Sequence, residues 1–247
     1  MKKLIVQSDD LGMCGAVNDG IRKAFTEGIL TQATAMAPCP AFDDGAAMAV
    51  ELGIPCGVHT TFTSEWDHVR WGPVTDGGSL VGEDGTLRRT VEAAKQAIDT
   101  DEAVAEAVAQ AERVTASGIV PIHCDCHMGL VSVPAYREVC DRFGLRFLYP
   151  VFDDSFRFDS ITHISGHLEG KLEYVVGLLD GLEEGVHLVI SHCGVGGEEL
   201  AGLTSRENEN FPWAEQMRTS DLEVLTSPEV REAVERNGIE LASVDEL

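Results

Sequence analysis

The chain has 247 residues, of which 44% are hydrophobic and 24% charged, a composition typical of a folded globular protein and not of a disordered one. Its 42 Asp and Glu residues outnumber 18 Lys and Arg residues, and the net charge of −24 disfavours nucleic acid and anionic membrane surfaces as partners. No apolar run is long enough to span a bilayer, and the start MKKLIVQSDD turns polar too early for a signal peptide. Seven cysteines without the spacing of a disulfide framework predict reduced thiols, so we expect a cytoplasmic protein.

Apolar, β-branched runs alternate with helical patterns from one end of the chain to the other. In chain order, the predicted strands are residues 3–8, 32–37, 56–62, 119–126, 145–151, 161–165, 186–191 and 239–243. The predicted helices are residues 17–27, 42–52, 101–117, 134–143, 168–182 and 227–237. This alternation predicts an α/β fold with a parallel sheet, either doubly wound or closed into a barrel. Because (β/α) barrels have about 250 residues, the length favours a barrel, and we expect one domain over residues 1–247.

Two long segments, 64–90 and 194–221, interrupt this pattern, and loops of that length commonly cover or line a binding site. They contain all three tryptophans, Trp66, Trp71 and Trp213. These side chains fit the mouth of a sugar site, a local hydrophobic plug or the contact surface of a homodimer. The sequence leaves the three interpretations open.

Carboxylates and imidazoles collect where the predicted strands end, which is where parallel α/β folds place their chemistry. In chain order these residues are Asp9, Asp10, His59, His123, Asp125, His127 and His192. The doublet Asp9-Asp10 follows an apolar strand directly, and two adjacent buried carboxylates repel each other unless a cation lies between them or one of them is protonated. The strand ends therefore predict a site for a divalent cation, although a single His59 on a strand is more often a core residue.

The run His-Cys-Asp-Cys-His at 123–127 presents two alternative ligand sets. In an extended chain, His123, Asp125 and His127 face one side, and Cys124 and Cys126 face the other. A zinc site on the two cysteines is the competing interpretation, but the chain has no second cysteine pair at a suitable spacing. The histidine and aspartate face is therefore favoured.

Five segments resemble the motifs of the YdjC-like, or ChbG/HpnK, carbohydrate deacetylases, and together they cover essentially the whole chain. The segment SDDLGMCGAVNDGI resembles the family's A-D-D-x-G-x-x-x-G-x-N-x-G-I, and GVHTTF resembles its G-x-H-L-T-L. PIHCDCHMGLVSVP resembles P-T-H-x-D-S-H-x-H-x-H-x-x-P, and HLVISHCG resembles the segment that ends in H-P-G. The closing residues from Met217 resemble the family's R-x-x-E-L-x-x-L-x-S-P-x-V.

The resemblance implies a distorted, TIM-like (β/α) barrel related to polysaccharide deacetylases. It further implies a hydrolase that removes the acetyl group from an N-acetylated mono- or oligosaccharide, with one divalent metal ion, magnesium or zinc, and a metal-bound water as nucleophile. The matching positions assign the roles: Asp9 is the general base, His192 the acid or oxyanion partner, and the metal ligands are Asp10, His59 and His127. His123 and Asp125 match positions that orient the ligands.

The chain departs from the family motifs beside the expected ligands. Thr60-Thr61-Phe62 replaces Leu-Thr-Leu, Gly129 and Val131 replace two later histidines, and Cys193 replaces a proline. These departures leave the expected metal ligands intact but affect positions near the substrate.

Two other functions use the same residues. A metal-dependent phosphoesterase or amidohydrolase needs cationic side chains for phosphate, and near the strand ends the sequence offers only Arg146 and the more distant Arg218. A carbohydrate- or metal-binding protein without activity has little need for a base such as Asp9.

Overall fold

The apolar strand β1 lies in the middle of one curled parallel sheet, and its polar carboxyl end supplies the aspartate doublet. The computed structural model describes residues 1–205 and 214–247. Its strands are β1 (Lys2–Leu11), β2 (Gln32–Ala35), β3 (Cys56–Thr60), β4 (Cys124–Cys126), β5 (Ser160–His163), β6 (Gly185–Ser191) and β7 (Ile239–Leu241). Its helices are α1 (Gly15–Glu27), α2 (Phe42–Leu52), α3 (Val91–Ala97), α4 (Thr100–Ala116), α5 (Val133–Phe143), α6 (Lys171–Asp180), α7 (Glu198–Ala201), α8 (Ala214–Leu225) and α9 (Pro228–Arg236).

The strands are arranged in the order β4-β3-β2-β1-β6-β5, and β7 pairs with the start of β1. Each of these pairings is parallel. The sheet curls into a half-barrel, so the predicted distorted (β/α) barrel is confirmed in an open form. All of the strand ends that carry the candidate residues lie at one rim.

Two of the predicted strands are much shorter in the structure. The segment 119–126 is a strand only at β4, and 145–151 forms no strand beyond one bridge between Cys124 and Phe147. Proline explains part of this difference, because Pro121 and Pro150 have no backbone N–H to donate to a sheet. The predicted loop 194–221 is also wrong in part, since it contains α7 and most of α8.

Helix starts follow the local capping chemistry. The α4 helix begins after Asp99, whose side chain accepts hydrogen bonds from the N–H groups of Asp101 and Glu102. The predicted helix 101–117 therefore begins one residue too late. Pro134, at which the predicted helix 134–143 begins, lies in the first turn of α5, and Pro228 opens α9 in the same way.

Side chains that point into the half-barrel form layers along β1. Ile5 packs at the bottom against Leu188 and Ile190 of β6. Gln7 lies above this apolar layer and is fully buried, and Asp9 lies above Gln7. Because alternate strand residues share a face, this pattern carries the polar groups to the upper rim of the barrel.

The segment 64–90 packs onto α4 instead of extending into solvent. Trp71, Leu80 and Leu87 are buried within it. The buried carboxylate of Glu106 accepts hydrogen bonds from the backbone N–H groups of Val74 and Thr75, each at 2.9 Å. Within residues 1–205 and 214–247, no helix has both the length and the apolar character that crossing a bilayer requires.

Candidate active site

A cavity of about 410 Å³ opens at the carboxyl ends of the strands, and its volume lies in the usual range for small-molecule sites. Its lining combines carboxylates and imidazoles with apolar and aromatic side chains. The lining residues are Asp9, Asp10, His59, Glu65, Trp66, Cys126, His127, Met128, Gly129, Leu130, Tyr149, Val151, His163, His192, Met217 and Arg218.

A β-bulge at the end of β1 turns both aspartates of the doublet toward this cavity. The pairing of β1 with β2 gains one residue between Ser8 and Leu11, and Asp10 has a φ of 74°. A positive φ is strained for most residues and best tolerated by Gly, Asn and Asp. Strict alternation predicts opposite sides for Asp9 and Asp10, and the structure corrects this because the bulge breaks the alternation.

Three side chains converge on one point next to Asp10. The Oδ1 atom of Asp10 lies 3.2 Å from Nδ1 of His127 and 3.5 Å from Nε2 of His59. Although it is buried, this oxygen accepts no hydrogen bond of acceptable geometry. One ligand atom from each of these residues lies within 4.8 Å of the others. We call Asp10, His59 and His127 the Asp10 cluster.

The far ring nitrogen of each histidine is held by a buried carboxylate. His59 Nδ1 lies 2.6 Å from Oδ1 of Asp125, and His127 Nε2 lies 3.1 Å from both carboxylate oxygens of Glu65. In the neutral imidazole each of these nitrogens donates its hydrogen, so the opposite nitrogen keeps a lone pair. Two lone pairs and one unpaired carboxylate oxygen then face one another. This donor set fits a divalent cation, for which two imidazoles and a carboxylate are common ligands.

Arg218 compensates the negative charge of Asp10. Its guanidinium donates to the second carboxylate oxygen at 2.7 Å, and both residues are almost fully buried. Burial opposes ionisation of this carboxyl, but Arg218 and the two imidazoles outweigh burial and hold the pKa of Asp10 well below its usual value. Asp10 is therefore an anion available to a cation at Oδ1.

Both imidazoles of the Asp10 cluster lie in a field of negative charge. Burial opposes their protonation, but Asp125 and Asp9 raise the pKa of His59 well above its usual value. The carboxylate of Glu65 likewise outweighs burial and raises the pKa of His127 to about 9. Protons thus compete with a cation for these nitrogens.

The other members of the 123–127 run lie around this cluster. Asp125 supports His59, whereas the buried ring of His123 makes no hydrogen bond and lies 3.9 Å from Oδ2 of Asp125. Burial lowers the pKa of His123 to about 3, so the ring is neutral. In the described part of the chain, no candidate group of metal ligands includes Cys124 or Cys126.

Asp9 presents one oxygen to the protein and the other to the cavity. Its Oδ1 accepts hydrogen bonds from Nε2 of Gln7 at 2.7 Å and from Oγ1 of Thr34 at 3.2 Å. A second candidate group combines Asp9, His59 and Asp125. These oxygens already have protein donors, so this group fits a cation less well than the Asp10 cluster does.

His192 lies directly after β6 and lines the same cavity as His59. Its Nε2 is 3.8 Å from Oδ2 of Asp9, and its Nδ1 is 2.8 Å from Oγ of Ser165. Burial outweighs the attraction of Asp10 and Asp9 and lowers the pKa of His192 to about 4. The ring is therefore neutral at pH 7.

Several residues of the site have little signal in the sequence. Glu65 and His163 lie in the lining although no motif of the sequence analysis included them. Arg218 is in contact with Asp10, closer than its distance along the chain indicates, whereas Arg146 is exposed and stacks on Phe156 outside the cavity. Gln7 is a usable sequence signal, because a polar residue inside an apolar strand indicates polar contacts within the barrel.

The tryptophans of segment 64–90 differ in their positions. Trp66 is buried, lines the cavity and donates from Nε1 to Sδ of Met13 at 3.3 Å. Trp71 packs behind the site with its ring edge toward His127, at 6.2 Å between centroids. Trp213 lies outside the described residues.

Comparison with known proteins identifies the family of the chain. The sequence profile of the YdjC-like proteins matches residues 3–236. The chain belongs to the YdjC-like family. A carbohydrate deacetylase of Geobacillus stearothermophilus is 35% identical over 150 residues, which are 60% of this chain and 58% of that protein. Across almost the full length, a chitooligosaccharide deacetylase of Yersinia enterocolitica is 26% identical and covers 98% of both chains.

Solved structures support the same fold for this YdjC-like chain. A proposed cellobiose-phosphate cleavage protein of Enterococcus faecalis has a TM-score of 0.85 at 24% identity, and the match covers 99% of this chain and 98% of that one. A family 4 carbohydrate esterase of Streptomyces lividans has a TM-score of 0.50 at 11% identity and covers 98% of this chain and 93% of that one. At such identities the likeness concerns the fold.

Proposed function

We propose that this YdjC-like chain is a metal-dependent deacetylase that hydrolyses the acetamide group of an N-acetylated mono- or oligosaccharide. The observation that carries the proposal is the convergence of the unpaired Asp10 Oδ1 with two imidazole nitrogens, directly beside a second carboxylate on Asp9. The names of the carbohydrate deacetylases and of the chitooligosaccharide deacetylase among its relatives support the same activity.

Asp10, His59 and His127 are the residues that would hold the metal, and Asp125 and Glu65 would keep the two rings oriented. A divalent ion bound there would polarise the acetyl carbonyl and lower the pKa of a bound water. Two imidazoles in the donor set favour zinc over magnesium, since magnesium prefers oxygen ligands.

Asp9 is suited to act as the general base. Its Oδ1 is held by Gln7 and Thr34, which leaves Oδ2 to face the cavity. The proton of the attacking water would move to Oδ2 while the water oxygen bonds to the acetyl carbon. General-base catalysis of this kind contributes about 10²–10⁴-fold to the rate.

His192 is suited to protonate the leaving nitrogen when the C–N bond breaks, which yields acetate and the free amine. Because burial lowers its pKa to about 4, the ring begins the cycle neutral, and in the Nδ1–H tautomer it can act as the acid only after Nε2 takes up a proton. The proton must therefore reach Nε2 during the same turnover, and Asp9 Oδ2 at 3.8 Å is close enough to deliver it after a small movement.

The apolar walls of the cavity fit a neutral sugar better than a phosphate ester. The partly exposed ring of Tyr149 offers aromatic surface to a sugar ring, and the buried Trp66 adds to the apolar wall behind the cavity. Among the described residues of the lining, Arg218 is the only Lys or Arg, and its guanidinium is already bonded to Asp10. A phosphoesterase would need further cationic groups to neutralise its substrate.

The experiment that tests the proposal is acetate release from a panel of N-acetylated mono-, di- and oligosaccharides, with zinc, magnesium, manganese or cobalt added back to metal-free protein. We expect metal-dependent release from at least one sugar, and strongly reduced release with Asp9→Asn. Absence of release with every metal, or release that Asp9→Asn does not change, would contradict the proposal.

A further inference from the structure

A buried ion pair lies behind His192, outside the groups that the proposed reaction uses. Lys171, the first residue of α6, donates to Oδ1 of Asp221 on α8, and both side chains are almost completely buried. Lys171 also donates to Oγ of Ser220 at 2.8 Å. Burying two charges costs free energy that their attraction only partly offsets. We therefore expect this pair to have a role other than stabilising the fold.

The second oxygen of Asp221 points to the neighbourhood of His192. Its Oδ2 accepts the backbone N–H of His192 at 2.8 Å and the hydroxyl hydrogen of Ser165. The Ser165 oxygen in turn lies 2.8 Å from Nδ1 of His192. Lys171, Asp221, Ser165 and His192 thus form one connected series of contacts, which we call the His192 network.

Counting donors and acceptors in this network determines where the imidazole proton lies. Asp221, paired with Lys171, is ionised and can only accept, so Ser165 gives its single hydrogen to Asp221. The Ser165 oxygen must then accept from Nδ1–H of His192. The neutral ring therefore has its proton on Nδ1 and a lone pair on Nε2, the nitrogen that faces Asp9.

We propose that Ser165 and Asp221 are positioning residues, which hold His192 in the Nδ1–H tautomer so that Nε2 is free to take up a proton and pass it to the leaving group. This inference rests on the proposed deacetylation for its catalytic part. The tautomer itself is a property of the free protein and can be measured without substrate.

Strands β5 and β6 contain a second serine–histidine pair, in which the two ring nitrogens have the opposite roles. Ser160 and His187 are register partners on β5 and β6, and Ser160 Oγ is 2.8 Å from His187 Nδ1. Here the other nitrogen, Nε2, lies 3.1 Å from the carbonyl oxygen of Glu183, to which it must donate. His187 is therefore the Nε2–H tautomer, and the partner beyond each serine–histidine pair determines the tautomer.

The test combines nitrogen-15 NMR of the histidine rings with kinetics on the best substrate. His192→Gln assigns the His192 signals by their loss. In the wild type we expect a pyrrole-type Nδ1 and a pyridine-type Nε2 for His192, and the reverse for His187. Ser165→Ala removes the bridge to Asp221, whereas Ser165→Thr keeps a hydroxyl, and Ser160→Ala removes the matched hydroxyl far from the cavity.

We expect Ser165→Ala to lose the single His192 tautomer and to lower kcat about 10- to 100-fold, the usual range for partners that orient a reactive side chain. Its KM and metal content should not change. Ser165→Thr should recover most of kcat, and Ser160→Ala should behave as the wild type. A wild-type His192 with its proton on Nε2, or equal kcat in Ser165→Ala and Ser160→Ala, would overturn the inference.

The two proposals can fail separately. If no N-acetylated sugar is hydrolysed by the wild type, the proposed function is wrong, and the NMR arm alone decides the tautomer. If the wild type is active but His192 is not an Nδ1–H tautomer, the positioning role is wrong and the deacetylase activity remains.

Discussion

On the Asp10 side of the cavity, a buried carboxylate oxygen without a hydrogen-bond partner faces two imidazole nitrogens, which are acceptors when the rings are neutral. On the Asp9 side, the His192 network supplies each buried group with a protein partner, from Lys171 to the His192 ring. A set of acceptors without donors is stable only with a cation or added protons. The comparison therefore supports the proposal that the first side binds the metal and the second side transfers protons.

Separating the two aspartates gives the largest expected difference between the two sides. Asp9→Asn should bind metal almost normally and lose about 10²–10⁴-fold in kcat, because it removes a base and no ligand. Asp10→Asn should bind metal poorly, and asparagine tolerates the positive φ at this position. Metal titrations of both variants provide the measurement.

Excess metal should restore part of the activity of Asp10→Asn and none of that of Asp9→Asn. The opposite pattern would exchange the roles of the two carboxylates. Equal and mild effects in both variants would mean that the doublet is only a turn.

Replacing a histidine of the Asp10 cluster should remove the metal, whereas replacing the neighbouring thiols should not. We expect His127→Ala to lose bound metal and the double variant Cys124→Ser/Cys126→Ser to keep it, because no candidate ligand group in the described residues contains a cysteine. Metal content per folded protein is the measurement. Loss of metal only in the double serine variant would favour the cysteine site instead.

Glu65→Gln tests whether the support behind His127 belongs to the metal side. Glutamine keeps the size but removes the charge beside Nε2, so metal affinity should fall about 10-fold or more. Asp84→Asn changes an exposed carboxylate in the same segment and serves as the control. If both variants bind metal equally well, by calorimetry, Glu65 has no such role.

The smallest expected effect is the release of protons when metal binds. The pKa of His127 is raised to about 9, so at pH 7 this ring is protonated without metal and must lose its proton to become a ligand. Metal affinity should therefore fall as pH decreases below about 9. Calorimetry in buffers of different ionisation enthalpy measures the released protons, and Glu65→Gln should release fewer. Metal binding without proton release would contradict this prediction.

The sequence predicts the strand ends well and the supporting contacts poorly. Asp9, Asp10, His59, His127 and His192 follow strands whose alternating pattern is local, and the structure brings all five to one cavity. The bulge at Asp10 was not predictable, since it depends on the register between β1 and β2.

The residues behind the site depend on tertiary contacts between distant segments. Ser165 and Asp221 are 56 residues apart in the sequence. Arg218 and Asp10, which are hydrogen-bonded, are 208 residues apart. The periodicity of a helix or a strand does not relate positions that are so far apart in the sequence. The short β4 has a different origin, because Pro121 and Pro150 are visible in the sequence and have no N–H group to donate to a sheet.

The attachment of segment 64–90 to α4 has a consequence for substrate binding. Glu106 and Gln110 hold the backbone of Val74, Thr75 and Thr61 through buried hydrogen bonds. The wall that carries Glu65 and Trp66 is therefore ordered before a ligand arrives. Binding does not lose conformational entropy by ordering this segment, so under the proposed function this cost would not reduce the affinity for a sugar that contacts it.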